Sequence, residues 1–420
     1  MSTNAIELKV EDLEVLLSCQ LGSNIKIQSF TSHPLTAPGD NYGSTILSVE
    51  VNYEQNSTKE VHTIPLVAKL VPLSPFLREV FHINITFNKE VRAYKLVSPE
   101  FERLQKEKNI PDTERLEVFP KFYGARTNWQ GDENSDADES AVLLLENLKV
   151  SGYRTRDRRK GLNLKHVEAV LTQLARFHAL SVALKLLKPQ VFRDTVLKAC
   201  EQFDTSIVKA ENDIENWVNA TVGFVKNTPE CVPYLSKIEA AFRKDMNGRL
   251  ETSPPPKEPF ATLVHNDFWV NNMMFKYNTG DADFEAPAKI KFVDFQITVY
   301  DSPVRDLLFF IFTSAEDGIV NKHFDHLIRH YHSEFINFLV RLGCNTDLFS
   351  FERFSEEIDT NAPKEFAHIL FMLNVVSADK SEAQDLTNYS TDNLLRNNGG
   401  EVYSRKVEAF ILTYVSKGWL

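Results

Sequence analysis

His265-Asn266-Asp267-Phe268-Trp269-Val270-Asn271-Asn272, followed by the strand-like run Ile290-Lys291-Phe292-Val293-Asp294-Phe295-Gln296, decides how this chain is read. An Asp set in H-x-D, an Asn shortly after it and an Asp ending an apolar run are the residue types that phosphoryl transfer needs together. A γ-phosphoryl group in transit is mostly charge to be positioned, so Mg²⁺ has to be gripped by hard oxygen ligands. A carboxylate has to face the incoming hydroxyl and accept its proton. Asp267 suits the second task; Asn272 and Asp294 suit the first. H-x-D alone occurs in many surface loops, but Asn272 stands at the offset from Asp267 found in the H-R-D-L-x-x-x-N catalytic loop. The segment from Tyr277 to Ala288, rich in Gly, Asp, Asn and Pro, reads as a hairpin connection leading into the strand that Asp294 ends.

That pattern requires an upstream half carrying a phosphate-binding lysine. Ser44-Thr45-Ile46-Leu47-Ser48-Val49-Glu50-Val51-Asn52 alternates polar and apolar residues as a half-buried strand does. Before it lies a turn, Gly39-Asp40-Asn41-Tyr42-Gly43-Ser44, in which Asn41, Tyr42, Gly43 and Ser44 are candidates to cover nucleotide phosphates. The next apolar strand, Ile64 to Val71, contains Lys69, and a lysine there is costly unless its ammonium finds anionic partners. ATP phosphates and Glu90 would supply them. Glu90 sits on a helical stretch with Phe87, Val91 and Tyr94 at helical spacing. Between the halves, Ala141 to Leu148 reads as a buried strand with a polar end, where backbone groups of Glu146, Asn147 and Leu148 would hydrogen-bond adenine.

Taken together these residues resemble the ecdysteroid kinase-like family of arthropods and nematodes, also described as CHK (choline-kinase-like) kinases. Further resembling segments are Gly152-Tyr153-Arg154, Leu174-Ala175-Arg176-Phe177-His178-Ala179 and Ser302-Pro303-Val304-Arg305-Asp306-Leu307-Leu308, and the likeness runs from about residue 25 to 415. The resemblance implies an α+β, bilobal protein-kinase-like fold with a β-rich N-terminal lobe and a larger, mainly helical C-terminal lobe. It implies Asp267 as catalytic base, Asn272 and Asp294 as Mg²⁺ ligands, Lys69 as the clamp on the ATP phosphates and Asp306 as a support beneath the catalytic loop. The implied acceptor is an ecdysteroid, another sterol or a hydroxylated xenobiotic; a choline- or ethanolamine-type kinase and a catalytically silent nucleotide-binding protein are the alternatives. Asn266 departs from the family pattern, which has Gly there; if the backbone needs φ > 0, Asn is the least costly substitute. Gln296 in place of a DFG glycine, and the lack of an Ala-Pro-Glu signature, argue against a protein kinase.

At 420 residues there is ample chain for two lobes, with boundaries expected at 1–147 and 148–420. The net charge of −11 argues against general nucleic-acid binding. Cys19, Cys200, Cys231 and Cys344 are widely spaced, as expected of reduced thiols in a cytoplasmic protein. No signal-peptide pattern and no membrane-spanning run is found. The acidic segment Gly131 to Ser140 is expected to be a mobile hairpin tip, and Arg154 to Lys160 a solvated basic loop. His323, His326, His330 and His332 are expected to be ordinary surface or core-edge histidines.

Overall fold

The computed structural model describes residues 8, 10–35, 44–55, 60–72, 74–132, 134–201, 211–250, 255–278, 285–379 and 400–420. The N-terminal lobe is built on β1 (Ile25–Pro34), β2 (Thr45–Gln55), β3 (Val61–Leu70), β4 (Phe122–Arg126) and β5 (Val142–Glu146). They form one antiparallel sheet in the order β1-β2-β3-β5-β4. Period-two alternation divides its faces. Leu66, Ala68 and Leu70 of β3 pack with Val49, Val51 and Leu144 beneath α1 (Val10–Leu21), whose Leu13, Leu16 and Leu17 share one helical face. Helix and sheet approach closely enough that a Cβ on Gly124 would lie 2.1 Å from the Leu16 carbonyl oxygen, so only glycine fits. Lys69, between Ala68 and Leu70, is thereby turned to the opposite face, where α2 (Pro75–Val80), α3 (Ile83–Arg92) and α4 (Ser98–Glu107) follow in the chain.

The C-terminal lobe is mainly helical. It contains α5 (Leu164–Leu187), α6 (Pro189–Phe192), α7 (Glu211–Val225) and α8 (Leu235–Leu250), then the short strands β6 (Thr262–Val264), β7 (Met273–Lys276), β8 (Lys289–Phe292) and β9 (Val299–Asp301). Among the described residues five further helices follow: α9 (Val304–Ser314), α10 (Ile319–Arg341), α11 (Phe351–Asn361), α12 (Phe366–Ser377) and α13 (Gly400–Lys417). The bilobal α+β arrangement expected from the sequence is the arrangement observed. Helix α5 is long and apolar enough to cross a membrane by composition, but 67% of its apolar window is buried inside the fold, where it serves as the central core helix.

Two loops differ from expectation. The acidic segment before β5 is not a free tip: Asp138 accepts from the Trp129 and Ser140 amides, and Asp132 from the Asn134 amide and Ser135 hydroxyl. It is also docked on α3, with Asn84 donating to Asp136 at 2.8 Å and Asn88 to the Ser135 carbonyl at 2.8 Å. Short polar side chains that bond their own backbone can order a loop without apolar burial. The basic segment is likewise engaged: Arg158 donates to the Ala378 carbonyl and Arg159 pairs with Asp379 at the end of α12.

Candidate active site

Strand pairing assembles the acidic side of the cleft. In the β7–β8 hairpin Met273 faces Phe292, so Asn272 and Val293 sit at adjoining strand ends and the Val293 amide donates to the Asn272 carbonyl at 3.0 Å. Pairing of β6 with β9 brings the loop after Val264 alongside. That loop is hung from Asp306, in the first turn of α9 and 1% exposed. Its two carboxylate oxygens accept the His265 and Asn266 amides at 2.7 and 2.8 Å. The same carboxylate meets His178 Nε2 of α5 at 3.2 Å, and His178 Nδ1 meets the Tyr331 hydroxyl of α10 at 2.7 Å. Hydrogen bonds to a charged acceptor are the stronger kind, so the loop's path is set by a buried network.

The path is tight. Asn266 has φ +69° and Asp294 φ +70°, both left-handed, where Asn and Asp are the least penalised residues after Gly. Asparagine at 266 therefore preserves the geometry a glycine would adopt. Burial pushes the His265 imidazole pKa down, keeping it neutral, so its Nε2 donates to the Val293 carbonyl at 3.0 Å. This bond staples the Asp267 loop to the residue preceding Asp294. Asn272 Nδ2 donates to the Asp267 carboxylate at 2.7 Å and to its carbonyl at 2.9 Å, leaving Asn272 Oδ1 directed to no partner among the described residues.

Lys69 closes the arrangement from the other lobe. Its Nζ lies 2.6 Å from Glu90 Oε2 and 2.7 Å from Asp294 Oδ1. Burial would depress the ammonium, but Asp294 and then Glu90 more than offset that and hold its pKa above the ordinary lysine value. Burial, only partly opposed by Lys69, raises the Glu90 carboxyl. Burial and the nearby Asp294 charge push Asp267 up to about 7, against the pull of Asn272. Three carboxyl groups against one ammonium leave the cleft short of positive charge.

Not every candidate joins the cluster. Asn41, Tyr42 and Gly43 lie outside the described residues, and Ser44 is buried at the start of β2. At the end of β5, Glu146 accepts from the Ser151 hydroxyl at 2.5 Å and Asn147 donates to Ser48 at 3.1 Å. Leu148 is buried in an apolar cluster with Tyr153, Met274 and the flanking Val293, alongside the loop that carries Asp294. Sequence reading gave His178, Tyr331 and His265 no role. A histidine inside the apolar face of α5 was the available signal for the first; the Tyr331 partner, 153 positions away, was not legible.

The donor set suits Mg²⁺ held with a nucleotide. Among the described residues no three His, Cys, Asp or Glu side chains gather into a self-sufficient metal cage. Mg²⁺ typically takes one or two carboxylates and completes its octahedron with phosphate oxygens and water. An amide oxygen on Asn272, a carboxylate on Asp294 and the surplus negative charge meet that need.

No curated protein matches the chain. Among solved structures, choline kinase from Cryptosporidium parvum Iowa II aligns over 98% of this chain and 96% of its own, at 11% identity and a TM-score of 0.40. A sequence model of the ecdysteroid kinase-like family matches residues 38–344. The chain belongs to the ecdysteroid kinase-like family.

Proposed function

We propose that this protein is an ATP-dependent phosphotransferase acting on an alcohol group of a small lipophilic molecule, an ecdysteroid, another sterol or a hydroxylated xenobiotic. One observation carries the reading: Lys69, from β3, reaches Asp294, from the β8 end, at 2.7 Å while Glu90 holds it at 2.6 Å. An ammonium fixed between two carboxylates at a lobe interface is preset to meet phosphate oxygens. Asp267 is the base. Raised to about 7, its carboxyl accepts the acceptor's hydroxyl proton, that oxygen bonds to the γ-phosphorus, and the bond to the departing ADP oxygen breaks. Asn272 orients Asp267 through its Nδ2 and presents Oδ1 to a metal. When bound with ATP through Asn272 and Asp294, Mg²⁺ neutralises the developing phosphate charge. The cluster of Leu148, Tyr153, Met274 and Val293 provides an apolar face for adenine, and the Leu148 amide, which has no acceptor among the described residues, is free to bond it.

The acceptor would lie against the helical lobe, where α12 carries Phe366 to Asn374 and Trp217 of α7 packs on Phe371 at 4.8 Å. Cys19, Cys200, Cys231 and Cys344 are all free thiols, in keeping with a cytoplasmic site of action. Incubating a lipid-rich extract with the protein and isotope-labelled ATP, then following label by mass spectrometry, tests the reading. A phosphorylated alcohol formed by the native protein and not by Asp267→Asn supports it. Tight nucleotide binding with no labelled product under any acceptor would instead identify a silent nucleotide-binding protein.

A further inference from the structure

The loop between β6 and β7 has two ends to hold, and Asp306 holds the first, at His265 and Asn266. The second is the 3-10 turn Val270–Asn272, which carries Asn272. A helical turn is usually capped by a short polar side chain just before it. Trp269 stands there and makes no such bond. Val270 is fully buried, so its amide needs an acceptor inside the protein. It finds the Ser314 hydroxyl at 3.0 Å. Ser314 is the last residue of α9, the helix whose first turn carries Asp306.

The polarity of that bond is fixed by its neighbour. Thr313 Oγ1 donates to the Phe309 carbonyl one turn back at 2.6 Å, which uses its only proton. It lies 3.1 Å from Ser314 Oγ and so accepts there. The Ser314 proton is thereby directed to Thr313, and its lone pairs are left for Val270. Both hydroxyls are fully buried, and hydrogen bonds in series strengthen one another. The Ser314 carbonyl is held too, accepting the Leu162 amide at 2.8 Å. The turn itself closes with the Asn272 amide on the Trp269 carbonyl at 2.9 Å, and Asn272 Nδ2 then reaches Asp267.

We infer that Ser314 is a positioning residue for the metal side of the cleft, capping from another helix the turn that presents Asn272. The inference rests on the kinase reading above and adds a residue to it. Helix α9 then sets the loop from two points roughly 12 Å apart along its axis, at the usual rise per residue. Asp306 acts by charge on the residues before Asp267, and Ser314 by a neutral hydroxyl on those after it. Loosening one end should leave the other in place.

Ser314→Ala and Thr313→Val test this; the second keeps Ser314 and removes only the group that orients its proton. In the nucleotide-free protein, Ser314→Ala should speed hydrogen exchange at the Val270 to Asn272 amides by about tenfold, with His265 and Asn266 within about twofold of native. Calorimetric titration of ATP at graded Mg²⁺ should need about threefold to tenfold more Mg²⁺ for half-maximal binding. The pH midpoint of kcat/KM should stay within about 0.3 of the native one, since Asp267 keeps its surroundings. Thr313→Val should move exchange and Mg²⁺ requirement the same way by a smaller factor. Native exchange at Val270 to Asn272 in Ser314→Ala, or equal acceleration across the whole loop, overturns the inference. An unmoved Mg²⁺ requirement in both variants, beside Mg²⁺-dependent binding by the native protein, overturns it while leaving the kinase reading intact. Absence of nucleotide binding by the native protein removes both.

Discussion

Lys69 and Asp267 both lie beside Asp294, yet the two lobes hold them by different means. On the N-terminal side the lysine is a lone polar residue on an apolar strand, fixed by side-chain charge from Glu90 and Asp294 at 2.6 and 2.7 Å. On the C-terminal side the Asp267 loop is fixed through its backbone, by amide bonds to Asp306 at 2.7 and 2.8 Å and by the His265–Val293 bond. The difference sets what can move. A backbone-anchored loop keeps its carboxylate in place whether or not ligand is bound. The lysine is only as well placed as α3, which brings Glu90 to it. On the kinase reading proposed above, preorganisation would be concentrated where the proton is taken, and adjustability where a nucleotide enters.

Substitutions on each side should separate the two modes. The largest effect is expected for Asp267→Asn, which removes the base but keeps the hydrogen-bonded shape: turnover falls by about 10²-fold or more while ATP affinity is retained. The same change should stabilise the fold at alkaline pH. Asp267 carries a folded-state value of about 7 against an ordinary 3.8, so the folded protein holds a proton the unfolded chain releases. Its stabilising contribution is complete below about pH 4 and is lost as pH rises through 7. Thermal melts should therefore show Asp267→Asn exceeding the native protein by roughly 2–5 °C at pH 8, with the gap closing towards pH 5. Native kcat/KM should rise with pH through a midpoint near 7 as the base ionises.

Asp306→Ala should come next, read as stability more than chemistry. It strands two buried amides and His178, at a cost of about 2–4 kcal/mol in denaturant unfolding, with turnover falling because the loop loosens. A variant that melts normally but turns over slowly would show that Asp306 acts on the reaction directly rather than through the loop. Glu90→Gln should be milder, weakening ATP binding by roughly threefold to tenfold with little change in unfolding, since a neutral amide still fills the space beside Lys69. The smallest effect is expected for Asn266→Gly. Relief of the left-handed backbone, worth about 1 kcal/mol, is nearly cancelled by the extra chain entropy glycine loses on folding. Urea titration should detect less than about 1 kcal/mol either way.

How much of this was legible in the chain depended on the range of the physics involved. Lys69 stood out as a lone charge within an apolar strand, a signal carried by neighbouring residues. The Asp267–Asn272 spacing and the hairpin leading to Asp294 were readable because each is a local motif. The contact of Lys69 with Asp294 spans 225 positions and was expected only because a triphosphate demands both groups. Nothing comparable demanded Tyr331 beneath His178, so that relay went unread. The acidic segment was misjudged for the opposite reason: its order comes from Asp and Asn side chains bonding nearby backbone, which composition alone does not distinguish from a solvated run.

Titration of ATP into the native protein and into Asp294→Asn, with and without Mg²⁺, tests the central claim most directly. The account predicts Mg²⁺-dependent binding by the native chain and loss of that dependence in Asp294→Asn, with Asp267→Asn behaving as native. ATP binding with the same Mg²⁺ dependence in Asp294→Asn would contradict it.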